Sequence, residues 1–384
     1  MFDLKLLQHY ILHTSERMTL HPEKSLVWER IIPDIASDAE HLMHLLLALA
    51  GLDILRTHSN AFYQTKHDGS LIKIVIRHHQ EGLKGLQQEL ESIGDSNLEG
   101  LLTGATLVNA FAFTSLCVGE LNHPVEHPPH YPEIEEIPQN VSNNPERPQV
   151  QWLSLIGSSF SIIKLSWMQL QRTRLRSLLV FKKANEDWKH FKSELTAPIE
   201  LPSGMLSATL SAFASNAFQA ICDLRAFSNG LKFAHALPFD DNDSLSFQSP
   251  CVDPSTDQDK AIEVLETIYM RILHVLGLPR TGVQPYSELE IQIEIEDAAI
   301  ASWPTLLSER FISSLDSNSV HRSVHNLSLT ILAHLYLTLA LLDKIWYFGR
   351  TFDLEIKKTA AFINQSADIK LMELMKWPIH VIEQ

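Results

Sequence analysis

Asn326-Leu-Ser-Leu-Thr-Ile-Leu-Ala-His-Leu-Tyr-Leu-Thr-Leu-Ala-Leu-Leu342 decides the fold class. Its apolar residues run around every side of a helix, which marks a helix enclosed by others rather than one lying on a surface. An aromatic knot follows, Ile345-Trp-Tyr-Phe-Gly349. A second amphipathic stretch runs from Thr351 to Asn364, and Trp377-Pro378 closes the region. Together they read as a buried helical hairpin.

The bulk chemistry fits a large core. The chain has 384 residues and is 45% hydrophobic, which argues against global disorder. It carries 31 basic and 46 acidic residues, a formal net charge of −15. Such a chain repels a phosphate backbone, so no direct nucleic-acid binding is expected. The densest basic stretch, Arg172, Arg174, Arg176, Lys182 and Lys183, lies at helical spacing and reads as a solvated face. Cys117, Cys222 and Cys251 form no CxxC pair, and an odd, scattered set fits a reducing compartment. The first residues show no signal-peptide pattern. The longest apolar runs fall short of the roughly 20 residues a membrane span needs. The expectation is an intracellular, cytoplasmic protein.

Taken in order, residues 1–20 read as an amphipathic helix broken at His21-Pro22. Leu26 to Ile32 is a short piece stopped at Pro33. Ser37-Asp-Ala-Glu40 has the form of a capping box before an almost wholly apolar helix, Ala39 to Arg56. Leu71 to Leu90 is amphipathic, with Ile72, Val75, Ile76, His79 and Leu83 expected inward. Gly82 and Gly85 weaken it. Leu98 to Val118 follows. Asn122 to Gln149 holds Pro124, Pro128, Pro129, Pro132, Pro138, Pro145 and Pro148 and reads as a long loop. Helices are expected over Trp152 to Val180, Asn185 to Leu195, Met205 to Phe227 (stopped at Asn229-Gly230) and Asp259 to Leu276, with a polar loop from Pro238 to Asp259. Leu289-Glu-Ile-Gln-Ile-Glu-Ile295 alternates with period two, but a lone strand has no partner, so helix or extended linker is favoured. Ser302-Trp-Pro304 begins a helix through Ser314. About nine to twelve helices and no credible sheet give an all-α fold, with a single helical domain over 1–384.

Motifs for nucleotide, flavin, zinc and serine-hydrolase chemistry are absent from the sequence. The expectation is therefore no metal and no cofactor. His123, His127 and His130 have ligand-like spacing in a proline-rich loop, which gives no rigid support. His41 and His44 lie one turn apart but lack the Glu-x-x-His pattern of di-iron sites. His78-His79 cannot face the same way. His334 sits amid apolar residues, where a polar group needs a partner or costs roughly 1–3 kcal/mol. It reads as a satisfied core histidine or as a polar anchor in an apolar cavity. Asn109, Asn216, Lys164, Arg225 and Thr338 are similar isolated polar residues on apolar helices.

Several short motifs, in order, carry a family likeness. Asp3-Leu-Lys-Leu-Leu-Gln-His-Tyr10, Val27-Trp-Glu-Arg-Ile-Ile-Pro33, His44-Leu-Leu-Leu-Ala-Leu-Ala50 and His78-His79 with Leu83 form its opening. Ser302-Trp-Pro304, Leu329-Thr-Ile-Leu-Ala-His-Leu335, Trp346, Gly349 and Trp377-Pro378 form its close. They resemble the C-terminal regulatory domain of fungal Zn2Cys6 transcription factors, the sterol-uptake-control group in particular. The resemblance implies an all-α domain whose closing helices enclose a pocket for a hydrophobic, sterol-like molecule. The six-cysteine DNA-binding module does not occur in this sequence. A ligand-binding co-regulator, a truncated product and a pocket turned to catalysis all remain open. For the third, stand-alone cofactor-free hetero-Diels–Alderases, which join a tropolone quinone methide to a humulene-type sesquiterpene, offer an analogy.

That chemistry needs no nucleophile or metal. It needs two apolar partners held together and one or two donors at a carbonyl. The favoured expectation is such an enzyme of fungal secondary metabolism, with a ligand-responsive regulator as the alternative. His334, Arg350 and Lys164 are the expected catalytic donors. Asn109, Phe113, Phe213, Tyr336, Trp346 and Tyr347 are the expected ligand-binding groups. The expected partner is a hydrophobic small molecule, and a homodimer is possible in either reading.

Overall fold

The computed structural model describes residues 2–59, 68–91, 97–116, 148–150, 152–153, 166–179, 207–236, 256–277, 287–300, 306–316, 322–342, 344–348, 351–366 and 368–384. Every regular element among them is helical, and none of these helices is long and apolar enough to cross a membrane. The all-α expectation holds. By backbone contacts the chain groups into two compact units. Unit 1 is Met1–Val180 with Lys344–Thr351, and unit 2 is Phe181–Asp343 with Phe352–Gln384. The expected loops over 122–149 and 238–259 lie almost wholly outside the described residues, as does the helix expected over 185–195.

Unit 1 opens with α1 (Phe2–His9), which runs straight into a wider π turn, Tyr10–Thr14, and a tight turn, Ser15–Arg17. Next come α2 (Pro22–Leu26), a second π turn (Val27–Ile31) and α3 (Ile32–Ser37). The expected stop at Pro33 does not occur. Pro33 stands in the first turn of α3, where an N–H has no helical partner and its loss costs nothing. The expected capping box does not form either. The Ser37 hydroxyl donates back to the Asp34 carbonyl at 2.7 Å, closing α3 rather than opening the next helix.

That next helix, α4 (Glu40–Ser59), is central to unit 1. Leu42, Leu45, Leu46, Leu49 and Leu52 are buried along it. α5 (Asp68–Leu90) and α6 (Leu98–Ser115) pack on it. The glycines that weaken α5 as an isolated helix are what let it approach. A Cβ on Gly85 would stand 2.2 Å from His41 Cβ, and one on Gly82 would stand 2.6 Å from the Leu45 side chain. Close helix approach needs small residues at the contact. The buried stripe of α5 is Val75, His78 and Leu86. His79 packs inward too, its ring stacked on Phe111 of α6 at 3.7 Å, so both histidines of the pair are packed although they face different neighbours. Two short helices, α7 (Trp167–Leu170) and α8 (Arg176–Leu179), flank Arg174. Its exposed guanidinium pairs with Asp34 at 2.6 Å and Glu99 at 3.0 Å. The centre of the basic stretch is therefore occupied by carboxylates.

Unit 2 holds α9 (Ala208–Ala236), α10 (Thr256–Gly277), α11 (Glu288–Ile300), α12 (Glu309–Ser314), α13 (Arg322–Ala340), α14 (Thr351–Gln365, in this unit from Phe352) and α15 (Ile369–Ile382). α13 contains the apolar run from Asn326 as far as Ala340. It is buried without a break from Val324 to Leu339. α9, α10, α11, α12 and α15 all touch it. α9 passes through Asn229-Gly230 to Ala236 instead of stopping there. A mid-helix glycine costs only about 1 kcal/mol against alanine, which the rest of the helix offsets.

The ambiguous stretch at 289–295 is helical. Ser287 and Glu290 cap α11 reciprocally. The Ser287 N–H and hydroxyl donate to Glu290 Oε2 at 2.8 and 3.0 Å, and the Glu290 N–H donates to Ser287 Oγ at 3.3 Å. That Ser-x-x-Glu pattern is a start signal legible in the sequence. Ile291, Gln292, Ile295 and Glu296 then turn inward at helical spacing. Buried hydroxyls in unit 2 are satisfied locally. Gln258 Nε2 donates to Ser328 Oγ at 3.1 Å, and Ser314 and Ser328 share a 2.7 Å bond.

Candidate functional site

His334 and Trp377-Pro378, unrelated in the sequence, explain each other. Pro378 lies inside α15. Having no N–H, it leaves the carbonyl four residues earlier, that of Leu374, without its helical donor. His334 Nε2 lies 3.1 Å from Leu374 O. A carbonyl only accepts, so Nε2 carries the hydrogen and Nδ1 the lone pair. Tyr269 on α10 approaches from the other side. Its hydroxyl donates to the His334 carbonyl at 2.9 Å and lies 3.4 Å from Nδ1. The α13 imidazole thus replaces the bond that proline removes from α15.

Aromatic rings enclose this contact. The Trp377 ring is 5.7 Å from His334 and 5.8 Å from Tyr269. Phe213 on α9 is 5.0 Å from Tyr269 and 5.7 Å from Trp377. Trp377 Nε1 donates to the Ala212 carbonyl at 3.3 Å. In this dry setting burial pushes the His334 imidazole down to about 4, against the upward pull of the Leu374 carbonyl. Burial also pushes the Tyr269 phenol well up. At neutral pH His334 is a neutral donor already committed to a carbonyl.

A second aromatic group forms in unit 1. Residues 344–348 belong there, although they follow α13 in the chain. The Phe113 ring on α6 lies 4.9 Å from Trp152, 5.3 Å from Phe348 and 6.2 Å from Tyr347. Trp346 Nε1 points at Met18 Sδ (3.1 Å), and the Tyr347 hydroxyl donates to the Met18 carbonyl at 3.2 Å. The guanidinium carbons of Arg17 and Arg56 lie 5.8 and 5.9 Å from the Trp346 ring, within cation–π range.

Beneath them is the buried carboxylate of Asp53 on α4. Its Oδ2 meets Arg17 Nη2 at 2.6 Å, the Thr14 hydroxyl at 2.8 Å and His9 Nε2 at 3.0 Å. Burial pushes this carboxyl up, but the His9 bond, Arg17 and Thr14 outweigh it and hold it below its ordinary value. Three donors from residues 9–17 on one oxygen fix the N-terminal turns to α4.

The expected site residues therefore fall into two groups. Phe113, Trp346 and Tyr347 come together in unit 1, with Asn109 half-buried on the same α6. His334 and Phe213 come together in unit 2. Tyr336 is buried there against Phe352, at 5.1 Å. Lys164 and Arg350 lie outside the described residues. Of the other isolated polar groups, Asn216 is exposed, Arg225 reaches Glu266 at 2.5 Å and Thr338 bonds back to Leu335 O. The sequence reading missed Tyr269, Asp53, Arg17 and Met18. Tyr269 and Asp53 were legible only as polar interruptions of apolar helix faces. Among the described residues no group of three or more His, Cys, Asp or Glu is placed to hold a metal ion.

Residues 5–123 match the family model of the fungal specific transcription factor domain. The matched stretch runs from α1 through α6. No curated protein matches the chain.

Proposed function

We propose that this chain is the small-molecule-reading part of a fungal transcriptional regulator. The observation that carries the proposal is the family match over residues 5–123. The expected ligand is apolar with one or two oxygens, sterol-like, as the family resemblance implies. The rings of Phe113, Trp346 and Tyr347 supply π faces for it, and Asn109 on the same helix supplies a polar group. The test is a fusion of the full chain to a heterologous DNA-binding domain driving a reporter, titrated with sterols and terpenoids. Ligand-dependent output that Phe113→Ala and Tyr347→Ala both abolish supports the proposal. Output indifferent to every apolar ligand contradicts it.

A second reading rests on charge. These 384 residues are acidic, at −15, and hold three cysteines, so a ligand held here is not read out by these residues on DNA. In that reading the bound apolar molecules react. The reaction class is the cofactor-free hetero-Diels–Alder addition of a tropolone-type quinone methide to a sesquiterpene such as humulene. With His334 committed to Leu374 O, donor duty falls to Arg350 or Lys164. Accelerated, stereoselective product from the purified protein with those two partners would favour this reading over the regulator.

A further inference from the structure

Between α4 and α5, His44 and His78 set Nδ1 against Nδ1 at 2.7 Å, with ring centroids 4.9 Å apart. The other nitrogen of each ring faces a carboxylate. His78 Nε2 is 3.4 Å from Asp3 Oδ1 on α1, and His44 Nε2 is 3.9 Å from Glu40 Oε1 one turn back on α4. A carboxylate accepts, so each Nε2 is best used as an N–H. With both hydrogens placed there, two lone pairs meet at 2.7 Å, which is repulsive. One hydrogen between the Nδ1 atoms turns that repulsion into a charge-assisted bond. A further proton would set two N–H groups pointing at each other.

We propose that His44 and His78 share a single proton and form a pH-sensitive clasp joining α4, α5 and α1, which opens when the pair takes up one more proton. The surroundings fit this number of protons. Asp3 and Glu40 balance one positive charge, whereas Arg77 on α5 opposes a second. His78 is only 1% exposed and cannot move its charge into water, while His44, at 27%, can swing out. Burial disfavours charge on His78, Asp3 opposes that, and the neighbouring His44 reinforces it. Further along the same seam, His41 meets Glu89 at 2.8 Å. That contact lies outside the clasp and keeps α4 on α5 when the clasp opens. α1 then keeps the His9–Asp53 contact and its buried Leu6 on α4.

The sign follows from linkage. An unfolded histidine takes up its proton near pH 6.5. The folded pair holds one proton and refuses a second, so the clasp is strongest near that value: it weakens as pH falls, when the unfolded chain takes up both protons, and also as pH rises and the shared proton leaves. The test combines imidazole nitrogen NMR from pH 8 to 5 with thermal unfolding of the full chain, His44→Gln and His78→Gln. The expected result is coupled titration of the two rings, with an acid loss of stability shallower by about one proton in His44→Gln. Should His78→Gln fail to fold, the slope of His44→Gln decides. Independent titration of the rings with an unchanged slope in His44→Gln overturns the proposal. So does a shift of both ring signals on adding a chelator, which would place a metal ion, not a proton, between them.

Discussion

Histidine serves opposite ends in the two units. In unit 1, His9, His41, His44 and His78 face the carboxylates of Asp53, Glu89, Glu40 and Asp3 across or along α4. In unit 2, His334 and His325 face the backbone carbonyls of Leu374 and Ser314. A carboxylate rewards a positive imidazole, whereas a carbonyl in a dry core only needs a neutral N–H donor. The histidines of unit 1 are thus paired with carboxylates, whereas burial holds His334 in the core of unit 2 as a neutral donor, down at about 4. The buried length of α13, Val324 to Leu339, carries no Asp, Glu, Lys or Arg of its own.

The contrast can be broken at several points. The largest effect is expected from Leu335→Ala on fully buried α13, a loss of about 2–5 kcal/mol in chemical denaturation. Asp53→Ala should follow at about 3 kcal/mol, because it strands the donors of His9, Thr14 and Arg17. Hydrogen exchange should show that loss in residues 9–17 first.

His334→Phe should cost about 1–3 kcal/mol by leaving Leu374 O without a donor. Pro378→Ala restores the helical donor to that carbonyl, so the double variant should be less destabilised than the sum of the singles. An additive result would separate the imidazole from the proline. The same variant sharpens the pH contrast. His334 holds its folded value at about 4 against roughly 6.5 when unfolded. Its contribution is therefore complete above pH 6.5 and drains away between 6.5 and 4. His334→Phe should flatten the unfolding curve in that window alone. Smaller still, Gly85→Ala should destabilise by about 1 kcal/mol despite better helix propensity, because its Cβ meets His41. Glu373→Ala, in an exposed pair with Lys376, should change stability by less than about 0.5 kcal/mol.

Much of the fold was legible because period and burial agree. The all-round apolar run at 326–342 could be nothing but an enclosed helix, and α13 is one. Errors arose where one residue was read without its context. Pro33 looked like a stop but opens α3. Gly230 looked like an end but lies within α9. At 289–295, where period two leaves helix and extended linker both open, the Ser287–Glu290 cap that starts a helix there decides between them. The site was less legible, since its contacts join residues distant in sequence. Nothing in Pro378 names His334 as its complement, and nothing in Trp346 points to Met18, Arg17 and Arg56. Chemical type suggested Phe113, Trp346 and Tyr347, but only the fold sets them apart from His334 and Phe213.

We propose that this chain takes up an apolar small molecule. Native mass spectrometry of the full chain, incubated with a sterol and with a humulene-class sesquiterpene, tests it most directly. One retained equivalent of an apolar ligand is expected, lost in Phe113→Ala and Tyr347→Ala while His334→Gln keeps it. Retention of neither molecule by a folded protein would contradict it.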